Sequence, residues 1–111
     1  MPNRNYAKGS ADERAVRRHA ESVGCEVVRA AGSHGTDLVV IDRGRVYAVD
    51  VKRNAWASPA SRAEMARAWR GKGAPWLVMV RAGPGHARTF TYRRVKLGGR
   101  MGEPVEQAPW L

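Results

Sequence analysis

The sequence is poor in cysteine: Cys25 stands alone among 111 residues. A disulfide framework within the chain is therefore excluded, and so is a cysteine-rich zinc site. A reducing, cytoplasmic setting is expected, in an archaeal, bacterial or virus-infected host cell. Long apolar runs are missing too. The longest, Trp76 to Val80, has five residues, against about 20 for a membrane-spanning helix, so no membrane partner is expected. The opening Met-Pro-Asn-Arg-Asn-Tyr leads into no apolar stretch, and no secretory signal is expected. Histidine is scarce: His19, His34 and His86 are too scattered for a zinc triad by spacing. Acidic residues are the other shortage. Ten Asp and Glu face twenty Lys and Arg, a net charge of +10. A basic domain of this size points to a polyanion, most often nucleic acid.

What remains is the composition of one folded domain. A capping-box pattern, Ser10-Ala11-Asp12-Glu13, predicts a helix over 10–23, with Val16, Ala20 and Val23 at helical spacing and a polar arm before it. Strands are predicted over 25–30, 37–42 and 45–52, the last two joined by Arg43-Gly44. Apolar residues alternate onto both faces of that hairpin, as in the middle of a sheet. Ser58-Pro59 predicts the start of a second helix. Strands over 76–80 and 88–95 follow. The order is αβββαββ, an α/β domain with a central mixed sheet flanked by helices. Residues 1–97 form that domain, and 98–111 read as a tail, mobile or packed on a partner through Trp110.

Three polar residues on these strands demand chemistry. A two-residue turn at Arg43-Gly44 pairs Asp42 with Arg45 and sets Asp37 opposite Asp50, about 4.5–5.5 Å apart at Cβ. Lys52 shares the face of Asp50. Two opposed carboxylates repel, and either a shared proton or a divalent cation relieves them. Mg²⁺ takes one or two carboxylates together with phosphate and water, which suits a +10 chain. Lys52 would position the attacking water or stabilise developing negative charge; its alternative is a plain ion pair. Glu13 has two readings on spacing alone, completing the cap with Ser10 or reaching the same metal.

Lys8-Gly9-Ser10, Glu13-Arg14, Val27-Val28-Arg29-Ala30-Ala31-Gly32-Ser33, Asp37-Leu38-Val39 and Val49-Asp50-Val51-Lys52 together resemble archaeal-type Holliday junction resolvases. These are homodimeric nucleases with a restriction-endonuclease-like core, of the PD-(D/E)xK superfamily. The resemblance is strong over residues 4–54. It implies that Glu13, Asp37 and Asp50 bind Mg²⁺, with Mn²⁺ able to substitute, and that Lys52 is catalytic. It implies that Arg14, Arg29 and Ser33 act at or beside the scissile phosphate, Ser33 within the catalytic set. Arg4, Lys8, His34 and Arg53 complete the candidates for DNA contact. Thr36 stands where the superfamily pattern has Pro. Asp50 stands where the resolvases usually have Glu; it is one methylene shorter, which would draw a metal closer to the strand. The implied function is Mg²⁺-dependent resolution of four-way DNA junctions by paired nicks. Two alternatives stay open: a related nuclease acting on duplex, flap or single-stranded DNA, and a non-catalytic basic DNA-binding module.

Overall fold

The computed structural model describes residues 4–30 and 36–111, with side chains from Ser10 onward apart from His86. Helix α1 (Arg4–Ser22) is longer than its sequence signals suggest. It begins at Arg4, not Ser10, so the expected arm is helical from Arg4 and Ser10 is interior. The Ser10 hydroxyl accepts a 3.4 Å bond from Arg14 Nη1 instead of capping. The reason is that no proline lies between Pro2 and the end of α1 at Ser22; a single interior glycine, Gly9, costs only about 1 kcal/mol. One stripe of the helix is buried: Asp12, Val16 and Ala20, one turn apart each. Val23 falls beyond the helix and is 43% exposed. Gly24, at φ +93°, turns the chain out of the helix.

Strands β1 (Glu26–Arg29), β2 (Leu38–Asp42) and β3 (Arg45–Arg53) follow as an antiparallel meander. Helix α2 (Pro59–Ala68) then crosses to β4 (Ala74–Ala82), which runs parallel to β3. β5 (Arg88–Arg94) returns antiparallel to β4. The chain order αβββαββ and the mixed sheet are as expected, and the strands lie in the spatial order β1-β2-β3-β4-β5. α2 starts where expected: Ser58 Oγ accepts from the Ser61 N–H at 3.2 Å, with Pro59 opening the helix.

Side chains alternate across the sheet, and each face has its own core. Val49, Val51, Val78 and Val80 pack with Val16 and Ala20 of α1. Ala48 and Leu77 pack with Met65 of α2 on the other side. The expectation that the β2–β3 hairpin is buried on both faces holds for β3 only. Leu38 and Val40 are buried, but Val39 and Ile41 are half-exposed, because Met65 sits over Ala48 and Leu77. Residues 98–111 pack on the chain's own core. Met101 bridges to Val95 and Val105 to Tyr92. Trp110 is buried edge-on against Tyr47 and Tyr92, with ring centroids 5.9 and 5.6 Å apart. Gly99 permits the turn into this segment: at φ +88°, a Cβ there would meet the Ala63 nitrogen at 2.7 Å. Among the described residues, no helix is long and apolar enough to cross a membrane.

Candidate active site

The site begins with the hairpin turn. Arg43 and Gly44 both take positive φ, 52° and 78°, the geometry of a two-residue turn whose twist matches the strands. Asp42 then pairs with Arg45, and the register runs on to Leu38 opposite Val49. One step further, Asp37 stands across from Asp50. The Asp37 N–H donates to the Val49 carbonyl at 2.8 Å, and Asp37 Oδ2 accepts from the Val51 N–H at 2.8 Å. That carboxylate is held in place by backbone.

Asp50 is buried, 4% exposed, and its Oδ2 has no hydrogen-bond partner. Lys52 Nζ lies 3.6 Å from Asp50 Oδ1, with the lysine side chain half-exposed. Glu13 reaches the same neighbourhood from α1, its Oε2 3.9 Å from Arg29 Nε. With Ser10 inside the helix, no capping box engages it.

The electrostatics tie these groups together. Burial pushes the Asp50 carboxyl up to about 6; Lys52 opposes this, while Asp37 and Glu13 add to it. Burial also raises Asp37, against the Val51 N–H, Lys52 and Arg29. Glu13 is raised by burial and then by Asp37, with Arg29 and Lys52 pulling it down. Three carboxyls raised together are a strained anionic cluster, which a cation would relieve.

Arg14 and Arg29 join Arg17, Ser10, Glu13 and Leu38 around a cleft of about 150 Å³, where guanidinium groups can fork onto phosphate. Arg53 behaves otherwise. Its guanidinium makes two 2.9 Å bonds to the buried Asp12 carboxylate, so the structure gives it an intramolecular partner. Ser33 and His34 lie outside the described residues, as do the side chains of Arg4 and Lys8.

Sequence reasoning missed two contacts that hold this neighbourhood. Asp12 entered the sequence reading only as an inner residue of the Ser10–Glu13 capping-box pattern, and its bond to Arg53 was not foreseen. Trp69 Nε1 donates to Thr36 Oγ1 at 2.8 Å, and Thr36 is fully buried immediately before Asp37. No local signal pairs residues 33 positions apart.

The family model of the archaeal Holliday junction resolvases (Hjc) matches residues 4–60, just over half of the chain. The chain belongs to this family. A solved relative in fold is the Holliday junction resolvase Hjc of the archaeal hyperthermophile Archaeoglobus fulgidus. It superposes with a TM-score of 0.62 at 22% identity, over 75% of this chain and 70% of that one. No curated protein sequence matches the chain. The resolvase match spans α1 through the start of α2, and therefore contains Glu13, Asp37, Asp50 and Lys52.

The residues fit the divalent cation that the resemblance implies. Asp37 and Asp50 supply hard oxygen ligands, and the orphaned Asp50 Oδ2 is a buried acceptor awaiting a partner. Among the described residues, no three acidic or imidazole side chains converge tightly enough to hold an ion by themselves. Two carboxylates with water and phosphate suffice for Mg²⁺.

Proposed function

We propose that this resolvase-family chain is a Mg²⁺-dependent endonuclease that resolves four-way DNA junctions by paired, symmetric nicks. The observation that carries the reading is Asp50, buried with its Oδ2 lacking a hydrogen-bond partner, with Asp37 across the hairpin and Lys52 Nζ 3.6 Å away.

Asp37 and Asp50 would hold Mg²⁺, or Mn²⁺ in its place, with Glu13 alongside. The bound ion would polarise the scissile phosphate and lower the pKa of a water. Lys52, half-exposed beside Asp50, presents its ammonium to the negative charge that grows on the phosphate. Arg14 and Arg29 line the adjoining cleft and orient the phosphate through their forks. The hydrolysis uses water as nucleophile and releases a cut strand. Ser33 joins this set as a phosphate contact, and Arg4, Lys8 and His34 extend the DNA track. Recognition rests on backbone phosphates and shape more than on base edges, which suits an Arg-rich surface. A homodimer supplies two identical sites for the near two-fold symmetric junction.

The test is a labelled synthetic four-way junction beside a linear duplex of the same sequence, with and without Mg²⁺. Paired nicks in the junction alone, only with metal, support the proposal. Equal cutting of both substrates replaces it with a general nuclease. Binding without cutting under any divalent metal leaves a DNA-binding module.

A further inference from the structure

We infer that Asp12, Arg53 and Arg88 form a clamp that positions Glu13 of α1 against Lys52 and the paired aspartates of the sheet. The inference rests on the resolvase reading of the site.

The buried stripe of α1 is Asp12, Val16 and Ala20. Two of its members are apolar anchors. The third, at the end nearest the site, is a carboxylate 1% exposed. A lone buried carboxylate is costly unless it is paired and hydrogen-bonded. Here Arg53 Nε and Nη2 each bond it at 2.9 Å, and Arg88 Nε adds a third contact at 3.3 Å. The fork from β3 is bidentate, which fixes direction as well as distance. Arg88 opens β5, so one carboxylate ties α1 to two strands.

The placement of these residues in the chain gives the clamp its function. Asp12 immediately precedes Glu13, and Arg53 immediately follows Lys52. Locking Asp12 to Arg53 therefore sets the position of Glu13 relative to Lys52 across 41 residues of sequence. Val16 and Ala20 hold α1 to the sheet, but apolar packing alone leaves the helix freer to slide or rotate. A directional charge pair at the last turn before the site removes that freedom. Arg53 and Asp12 do not need to touch DNA for this, and Arg53 is a positioning residue.

The experiment compares Asp12→Asn, Arg53→Leu, Arg53→Lys and the double variant Asp12→Asn/Arg53→Leu with the wild-type protein. Single-turnover cleavage at saturating junction and Mg²⁺ is measured alongside junction Kd, its salt dependence and the folded fraction. The expected result is a rate loss of about tenfold to a hundredfold per folded molecule for Asp12→Asn and for Arg53→Leu. Junction Kd and its salt slope stay unchanged. The double variant is no slower than the slower single variant, since one interaction is removed twice. Arg53→Lys, which keeps charge but loses the fork, falls between. Rates within about twofold of wild type overturn the clamp. So does an Arg53→Leu variant that weakens binding and flattens the salt slope by about 1 while Asp12→Asn does not, because that marks a phosphate contact.

A second readout does not depend on cleavage. Spin labels at Arg18 on α1 and Arg45 on β3, in a Cys25→Ala background, report the helix-to-sheet distance. Asp12→Asn should broaden that distribution, and an unchanged distribution overturns the clamp. If the wild-type protein cuts no junction while the distribution broadens, the resolvase reading fails and the clamp stands. Should Asp12→Asn fail to fold, Arg88→Gln removes the 3.3 Å contact alone. It should give a smaller rate loss in the same direction, and no loss overturns the clamp.

Discussion

Asp50→Asn should make the metal-free protein more stable at neutral pH while abolishing its cleavage. The folded carboxyl titrates near 6, raised from 3.8 by burial. An acid whose folded pKa is raised holds its proton more tightly in the native state. Stability is therefore greatest below about 3.8 and is lost as pH rises to about 6, with the full penalty above it. The difference corresponds to about 3 kcal/mol. Roughly 2 kcal/mol of this falls between pH 4.5 and 8. Asparagine keeps the shape and the Oδ1 acceptor but has nothing to ionise. Its amide gains a buried donor, which offsets the benefit by about 1–3 kcal/mol if unpaired, and this offset does not vary with pH. The diagnostic is thus the gap in unfolding free energy between variant and wild type, measured by urea in EDTA from pH 4.5 to 8. The gap should grow in the variant's favour by about 2 kcal/mol, a shift of roughly 1 M in urea midpoint. Added Mg²⁺ at a hundred times its Kd should then stabilise the wild type by about 2.7 kcal/mol and leave the variant unmoved. Stability curves that run parallel across the pH range would refute the argument, because Asp50 would not be a buried charge the fold bears for function.

Asp37→Ala should bind a four-way junction with wild-type affinity and fail to cut it; normal cutting in a gel assay would remove Asp37 from the site. Trp69→Phe strips the donor from a fully buried Thr36 hydroxyl, so calorimetry should show a loss of about 1–3 kcal/mol and the single-turnover rate should fall as Asp37 loosens. Trp110→Ala should cost about 3–5 kcal/mol in urea melts, since the ring packs edge-on against Tyr47 and Tyr92. Junction affinity should fall by about 10³–10⁵ between 50 and 200 mM salt if some 6–10 phosphates are neutralised, measured by fluorescence anisotropy.

The hairpin was legible because its information is local. Arg43 and Gly44 fix the turn, the turn fixes the register, and period-two alternation carries that register to Asp37, Asp50 and Lys52. No distant residue is needed. The start of α2 was legible for the same reason, with Ser58 and Pro59 adjacent to the turn they cap. The start of α1 was not. A capping residue can also sit inside a helix when nothing upstream stops the chain, and Ser10 does.

Tertiary structure alone decided how the two halves of the site meet. Arg53 and Arg88 are 41 and 76 residues from Asp12, and any arginine could have been the partner of any aspartate. The choice depends on how α1 lies across the sheet, which the Val16 and Ala20 stripe alone does not fix. The same holds for Trp69 and Thr36, and for Trp110, whose burial against Tyr47 and Tyr92 follows from the return path of residues 98–111. Strand pairing through a two-residue turn is dictated by backbone sterics over a few residues. Long-range ion pairs and ring contacts are dictated by how helix, sheet and C-terminal segment pack together over the whole chain.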